Sequence, residues 1–457
     1  MPLPVLTIEQ MRDWEKATWA TGQAELDVIR RVGQALARTA LRLTRPGDLI
    51  LILAGKGHNG DDARFAAEHF TERRIDILDA LDPKEDFSKL DKRLAMSPTL
   101  VIDGLFGIGI NRPLGPDWVR FIERINAAKL QVLAVDVPSG LNANTGEPQP
   151  VAVEACVTLT IGAPKVGLLR QSAWQFVGRL DVTHEVGLVP CPCASSVLWT
   201  LPHDFCGFPP QRAVAGHKGA YGHAALLAGS PGYHGAAVLA SRGAQRAQPG
   251  LITLYTLPAV YAVIASQLQA VMVSAWQAES KLPENCTVVM AGPGLAFPEV
   301  PEQLKSFIRQ TWRDGSVPMV VDASALGWLT PGPVTNEAIR VITPHPGEAA
   351  RLLGITSQQV QSDRVQALRG LSERFGNTWV ILKGHQTLVG RSTGEVFVNG
   401  SATLISRRAE AVIYFPAMSL GFWHSRPWQA TPSEHFGMRY GNTALAPTCF
   451  RRAEAAG

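Results

Sequence analysis

The sequence predicts two α/β domains in tandem, each built on a largely parallel sheet, and three observations predict it. Short apolar runs of strand length alternate with helical stretches through the first half of the chain. That rhythm stops over a proline-rich stretch at 189–212 and then restarts. The apolar run Leu49–Ala54 leads into Gly55-Lys56-Gly57-His58-Asn59-Gly60-Asp61-Asp62, a glycine-rich turn that exposes backbone N–H groups at the positive end of a helix expected over 63–70. At 457 residues the chain exceeds one ordinary core, which agrees with two or three domains.

Taken in order, Thr7-Ile8-Glu9-Gln10 has the pattern of a capping box, so a helix is expected from there to about Thr21. Apolar residues at helical spacing predict a second helix over 26–43, which Arg45-Pro46-Gly47 stops. Strands are expected at 49–54, 75–78, 100–102 and 132–135, with a helix at 118–128 between the last two. Parallel sheets take ligands at the carboxyl ends of their strands. Two of these strands end in an acid and a turn, Asp103-Gly104 and Asp136-Val137-Pro138-Ser139-Gly140. Asp62, Asp103 and Asp136 should therefore gather at one sheet edge beside the glycine turn. Each alone reads as a cap; three together point to a site for a cation or a sugar hydroxyl.

The formal charge of +4 is small and no lysine or arginine block occurs, which argues against nucleic acid as a partner and leaves room for a basic pocket that binds an anionic small molecule. There is no apolar segment of membrane-spanning length, and Glu9, Asp13 and Glu15 stand where a secretion signal needs basic and then apolar residues. A cytoplasmic protein with no membrane partner is expected. The six cysteines are scattered, against a disulfide framework, and Cys191-Pro192-Cys193 with His203 and Cys206 fits no zinc spacing.

GKGHNGDD, DGLFGIGINRP, VDVPSGLNANTG and TIGAPKVGLL, in that order within 1–188, resemble the N-terminal epimerase domain of the NAD(P)H-hydrate repair enzymes. The resemblance implies a Rossmann-like domain that interconverts the epimers of hydrated NADH or NADPH at the sixth ring carbon. It implies that His58, Asn59, Gly60, Asp61 and Asp62 bind the hydrate, and that Gly107, Ile108, Gly109, Ile110, Asn111, Arg112 and Pro113 wrap its pyrophosphate. Asp136 becomes both a substrate contact and the catalytic acid/base, Lys165 a phosphate anchor, and Asn59, Asp103 and Ser139 the ligands of a potassium ion. The chain departs from the family pattern, asparagine, glycine and glycine, at His58, Asp61 and Ala63. A carboxylate at Asp61 would repel pyrophosphate unless it points elsewhere.

After the linker, strands are expected at 224–228, 252–255, 288–291, 319–321, 341–343 and 380–382. HKGAYG, GSPGYHGAA, AGPGL, VVDASAL, TPHPGE and ILKGHQT then resemble, over 213–401, the ribokinase-like dehydratase domain of the same family. That domain uses ADP or ATP, with Mg²⁺, to phosphorylate the ring hydroxyl of the S epimer and eliminate phosphate. The resemblance implies that Ala237, Gly294 and His345 bind the hydrate and that Lys383, Gly384, His385, Gln386 and Thr387 bind the adenine nucleotide. Asp322 reads as an acid that fixes the loop after its strand. A homo-oligomer is expected. The rival readings are a ribokinase-class small-molecule kinase and a non-catalytic nucleotide-binding module.

The pattern breaks after Asn399-Gly400-Ser401. The family expects a glycine cluster followed by aspartate, giving an anion hole and a base. Residues 402–415 contain neither, and no aspartate occurs after Asp363. A one-base shift of reading frame makes 401–415 compatible with a run containing Gly-Gly-Ser-Gly-Asp, so 402–457 reads as an out-of-frame tail. On this sequence the epimerase should be intact and the dehydratase impaired.

Overall fold

The computed structural model describes residues 1–110, 112–206, 212, 214–335 and 337–400. The chain divides into two compact units, one spanning Leu3–Ser195 and the other running from Ser196 onward with Met1–Pro2.

In the first unit a short extended segment β1 (Leu3–Pro4) precedes α1 (Ile8–Trp19), and the Thr7 hydroxyl and Gln10 side chain close the expected capping box. Helix α2 (Glu25–Leu43) feeds β2 (Leu49–Ala54), all six residues of which are buried. Next come α3 (His58–Ala66), β3 (Arg74–Asp79), α4 (Pro83–Ala95), β4 (Leu100–Gly104), α5 (Pro116–Ala127), β5 (Val132–Val135), β6 (Val157–Ile161), α6 (Trp174–Val177) and β7 (Arg179–Thr183). The six-stranded sheet runs β3-β2-β4-β5-β6-β7, parallel throughout. Ile50, Ile52 and Ala54 enter the core under α2 and α3, while Leu51 and Leu53 enter the opposite core with Leu90 of α4 and Phe121 of α5. A strand packed on both faces needs apolar residues at every position, which is why 49–54 does not alternate with polar residues.

Helix α3 begins at His58, five residues earlier than expected. Asn59, Gly60, Asp61 and Asp62 are thus part of the helix rather than a loop ahead of it. Tight packing permits this: a side chain at Gly55 would strike the Leu105 carbonyl, and one at Gly60 would strike the Gly55 carbonyl oxygen at 2.1 Å.

The second unit contains β8 (Val197–Thr200), β9 (His223–Leu227), α7 (His234–Arg246), β10 (Leu251–Thr256), α8 (Tyr261–Ala265), β11 (Met272–Ala275), β12 (Cys286–Ala291), α9 (Glu302–Asp314), β13 (Met319–Val321), β14 (Arg340–Ile342), α10 (Pro346–Leu353), α11 (Ser357–Ser362), α12 (Arg364–Arg374), β15 (Trp379–Leu382), β16 (Thr387–Gly390) and β17 (Val396–Asn399). Its strands run in the order β8-β17-β16-β15-β14-β13-β12-β9-β10-β11. Only the β15–β16 and β16–β17 pairs are antiparallel among the described residues.

The stretch expected as a linker, 189–212, is partly built into the two units. Val189 O accepts from Trp14 Nε1 and the Ser195 hydroxyl donates to Val5 O, whereas Val197–Thr200 pairs with β17. Its prolines give it the look of a spacer, but its strand borrows all its pairing from distant sequence.

Candidate active site

In the first sheet the order of strands reverses between β2 and β4, so the connections from their carboxyl ends leave in opposite directions and open a crevice. A cavity of ≈650 Å³ lies there. Lys56, His58, Asn59 and Asp62 line it from the β2–α3 side, Leu105 to Ile110 from the β4 side, and Arg112, Pro113 and Trp118 farther along. Asp136 and Lys165 form its floor after β5 and β6, and Met11, Arg12 and Glu15 close it from α1.

Asp136 sits at φ +63°, a left-handed conformation costly for a residue with a side chain. Its Oδ1 accepts from Lys165 Nζ at 2.5 Å, Ile161 N at 3.0 Å and Thr160 Oγ1 at 3.1 Å. Lys165 is fully buried and spends its other two N–H bonds on Ile161 O and Thr160 Oγ1. With all three donors committed it cannot also anchor a phosphate, and that expectation is corrected: Lys165 holds Asp136.

Asp62 is 5% exposed, and among the described residues its carboxyl has no hydrogen-bond partner. Burial first, then the negative charges of Asp136, Asp61 and Glu15, holds it well above the ordinary aspartate range. Glu15 is pushed up as well, by burial and then by Asp136.

Asp61 does not line the cavity. Its carboxylate accepts from Arg64 at 2.9 Å, and Arg64 also reaches Asp79 at 2.8 Å and Gly55 O at 3.0 Å. Asp61 is thereby turned to Arg64 and away from the cavity, and its place among the substrate contacts is corrected. Gly60 is buried under Gly55 and likewise offers the cavity no surface, and Asn111 lies outside the described residues.

Asp103 and Ser139 lie beneath the cavity, both fully buried. Asp103 accepts from Ser139 Oγ at 2.6 Å, Ser139 N at 2.8 Å and Leu105 N at 3.3 Å. Burial outweighs these bonds and pushes its carboxyl up to about 6. Phe106 N donates to Ser139 Oγ, and a Cβ at Gly107 would come within 3.2 Å of Asn59 Oδ1, so the three residues assigned to a cation occupy neighbouring turns. Asn59 Nδ2 is buried without a partner among the described residues.

In the second unit the strand order reverses at β12-β9-β10. The turns after β9 and β12 are knit together by Gly229 N to Pro293 O, Gly292 N to Leu227 O and Ser230 Oγ to Gly294 O at 2.6 Å. Gly294 has φ +66°, and a side chain there would meet Tyr233 O at 2.4 Å. Ala237 of α7 is fully buried where a Cβ on Gly229 would touch it, so it shapes the turn and presents no surface to a ligand. His345 caps α10: Nδ1 accepts from Gly347 N at 3.0 Å and Glu348 N at 3.2 Å. Desolvation, the first cause, and the Lys383 and Arg351 charges lower its pKa, and the accepting Nδ1 fixes the neutral tautomer with the proton on Nε2. Asp322 does fix its loop, accepting from Thr343 Oγ1 and Lys383 Nζ, each at 2.7 Å. Lys383, Gln386 and Thr387 are buried in the β15–β16 hairpin, leaving Gly384 and His385 the partly exposed turn. Residues 402–415 lie outside the described residues.

Two family models match this chain. NAD(P)H-hydrate dehydratase matches residues 224–409, and the YjeF-related N-terminus matches residues 79–167. A bifunctional NAD(P)H-hydrate repair enzyme of Coxiella burnetii is 31% identical over 83% of this chain and 82% of its own length. The chain belongs to the bifunctional NAD(P)H-hydrate repair enzyme family. Another bearing that name, from Vibrio cholerae, is 32% identical over 74% of this chain and 72% of its own. An ADP/ATP-dependent NAD(P)H-hydrate dehydratase from Bacillus subtilis, co-crystallised with ATP/Mg²⁺, is 29% identical over 48% of this chain and 78% of its own, with a TM-score of 0.43. The two units are accordingly the family's Rossmann-like and ribokinase-like domains.

Of the residues expected to meet the hydrate, His58, Asn59, Asp62, Gly107, Ile108, Gly109, Ile110, Arg112, Pro113 and Asp136 share the cavity. Sequence reasoning missed Arg12, Glu15 and Lys56. A signal existed for α1: Met11, Arg12 and Glu15 fall within one helical turn of each other.

Proposed function

We propose that the N-terminal domain epimerises the R and S hydrates of NADH and NADPH, and that the C-terminal domain binds hydrate and adenine nucleotide but dehydrates poorly in this chain. The observation that carries the epimerase reading is the floor of the cavity. There a buried lysine, a hydroxyl and a backbone amide fix Asp136 in a strained backbone conformation at a strand end. A carboxylate fixed in that way serves as the acid/base group of a proton-transfer enzyme. Arg12, Lys56 and Arg112 around the cavity give the pyrophosphate of a dinucleotide its counter-charge.

Asn59, Asp103 and Ser139 offer oxygens that suit a potassium ion: a buried carboxylate with no cationic partner among the described residues, a hydroxyl and an amide oxygen. The ion would supply positive charge beneath the loops that carry the dinucleotide.

In the second domain the nucleotide would meet the Gly384–His385 turn and the hydrate would meet Gly294 and His345. Among the described residues no cluster of three metal-ligating side chains occurs. Mg²⁺ would come with the nucleotide phosphates. The transferred phosphoryl group would lack the glycine anion hole and the aspartate base, because 402–415 contains neither.

Incubating the purified chain with the separated R hydrate of NADPH, and following the epimers by chromatography with and without ADP or ATP, tests both halves. Epimerisation without dehydration is the expected outcome. Calorimetric binding of the hydrate with no interconversion would replace the enzyme by a binding module.

A further inference from the structure

Two carboxyl groups reach the same cavity from different elements, and their surroundings are opposite. Asp136 has three donors on one oxygen, one of them the Lys165 ammonium, which is what an ionised carboxylate requires. Asp62, near the start of α3, is buried and has neither a donor nor a cation on its oxygens among the described residues.

The charged groups around Asp62 do not compensate it. Glu15 faces it from α1, Asp136 from the turn after β5 and Asp61 from its own helix. Of the cations, Lys165 has no N–H left, Arg64 is spent on Asp61, Asp79 and Gly55 O, and the exposed His58 ring lies 3.3 Å from Glu25, while the exposed Arg12, Lys56 and Arg112 line the same cavity without a bond to Asp62. With no donor or cation bonded to its oxygens, burial and the three neighbouring acids favour the protonated form of Asp62, which presents an O–H to the cavity. One carboxyl held by an ammonium and two further donors, and another that no donor reaches, are arranged as a base and an acid.

Resting on the epimerase reading above, we propose that Asp62 is the proton donor and Asp136 the proton acceptor of hydrate epimerisation. The hydrate carries its hydroxyl on a ring carbon bonded to nitrogen. Asp62 gives its proton to that hydroxyl; the carbon–oxygen bond breaks, its electron pair leaves with water, and the nitrogen lone pair forms a carbon–nitrogen double bond. A water molecule then adds to the other face of the carbon. Its carbon–oxygen bond forms, the double-bond electrons return to nitrogen, and Asp136 takes the surplus proton. Nothing is oxidised or reduced, and solvent returns the proton from Asp136 to Asp62. In the opposite direction the two residues exchange roles.

The test uses the full chain with the separated R hydrate of NADPH in ¹⁸O-labelled water. One labelled oxygen should enter each molecule of S hydrate; product that retains its original oxygen overturns the proposal without any variant. Asp62→Asn, which keeps the shape but cannot give up an acidic proton, should lower kcat for epimerisation by about 10²- to 10⁴-fold and leave KM within about threefold. An unchanged kcat, or a raised KM at full kcat, would make Asp62 a binding or structural residue and overturn the assignment. If the unaltered chain binds hydrate but does not epimerise it, the functional reading itself falls, which is a separate result from an active chain indifferent to Asp62→Asn.

Discussion

Lys165 shows how a residue can be conspicuous in sequence and misread there. It stands in a motif beside a strand end, where an exposed lysine would serve a phosphate, but the fold buries it completely against Asp136, 29 residues away. The acid was legible, because an aspartate closing a parallel strand faces the ligand edge. Its partner was not, because pairing between the ends of β5 and β6 is set by the sheet. Removing one member of a buried ion pair leaves the other uncompensated, so Lys165→Met should destabilise the N-terminal domain by about 3–5 kcal/mol. Urea unfolding with an unchanged m-value measures it; a loss under about 1 kcal/mol would mean that water already reaches Asp136. Asp103 gives a second residue-scale expectation. Its buried carboxylate lacks a cationic partner among the described residues, so potassium at about 100 times its Kd should stabilise the domain by roughly 2.7 kcal/mol relative to choline. Asp103→Asn should abolish that difference in thermal unfolding.

Among the elements, the strands of both central sheets were legible as continuous apolar runs, since a strand buried on two faces has no polar position to disguise it. What escaped was β1, β6, β7, β8 and β11 and the β16–β17 ribbon, whose sequences carry polar residues or are very short and whose existence depends on their neighbours. The start of α3 escaped too, because a helix that begins with histidine, asparagine and glycine is set by packing on Gly55 rather than by propensity. Two helix ends carry predictions. Arg340, buried at the start of β14, gathers the carbonyls of Thr311, Trp312, Gly315 and Val317 around the end of α9, with Nε 2.5 Å from Trp312 O. Arg340→Met would strand several buried acceptors and should cost about 3 kcal/mol or more in urea unfolding. His345 caps α10 as a neutral acceptor, and its folded pKa is lowered from the ordinary 6.5. Around that value the unfolded chain binds more protons, so this contribution to stability is present above the unfolded pKa and fades as pH falls below it through the lowered folded value. The half-exposed ring makes the effect small. His345→Asn should keep the cap and flatten the pH dependence of the second domain's unfolding between about pH 7 and 5.

At the scale of the whole molecule, two domains with a shared substrate class need not share a fate. The cavity of the first unit is assembled from α1 to β6, wholly within Leu3–Ser195, so nothing that happens beyond Asn399 removes a side chain from it. On the reading proposed above, dehydration depends on residues past that point, since the resemblance puts the anion hole and base in a run where this chain has the residues from Ala402 to Phe415. Backbone donors at a helix end and a positioned base each contribute about 10²-fold or more. Their joint absence should lower ADP-dependent dehydration by about 10⁴-fold or more relative to a version whose reading frame is restored after residue 400, so that it carries Gly-Gly-Ser-Gly-Asp. Epimerisation should be the same in both proteins. Recovery of NADPH fluorescence from the S hydrate measures the first, and chromatographic separation of the epimers the second. Equal dehydration by the two proteins would show that the reaction draws its anion hole and base from elsewhere in the chain. A restored version that still fails would place the defect in the residues before 400, at His345, Gly294 or the Gly384–His385 turn.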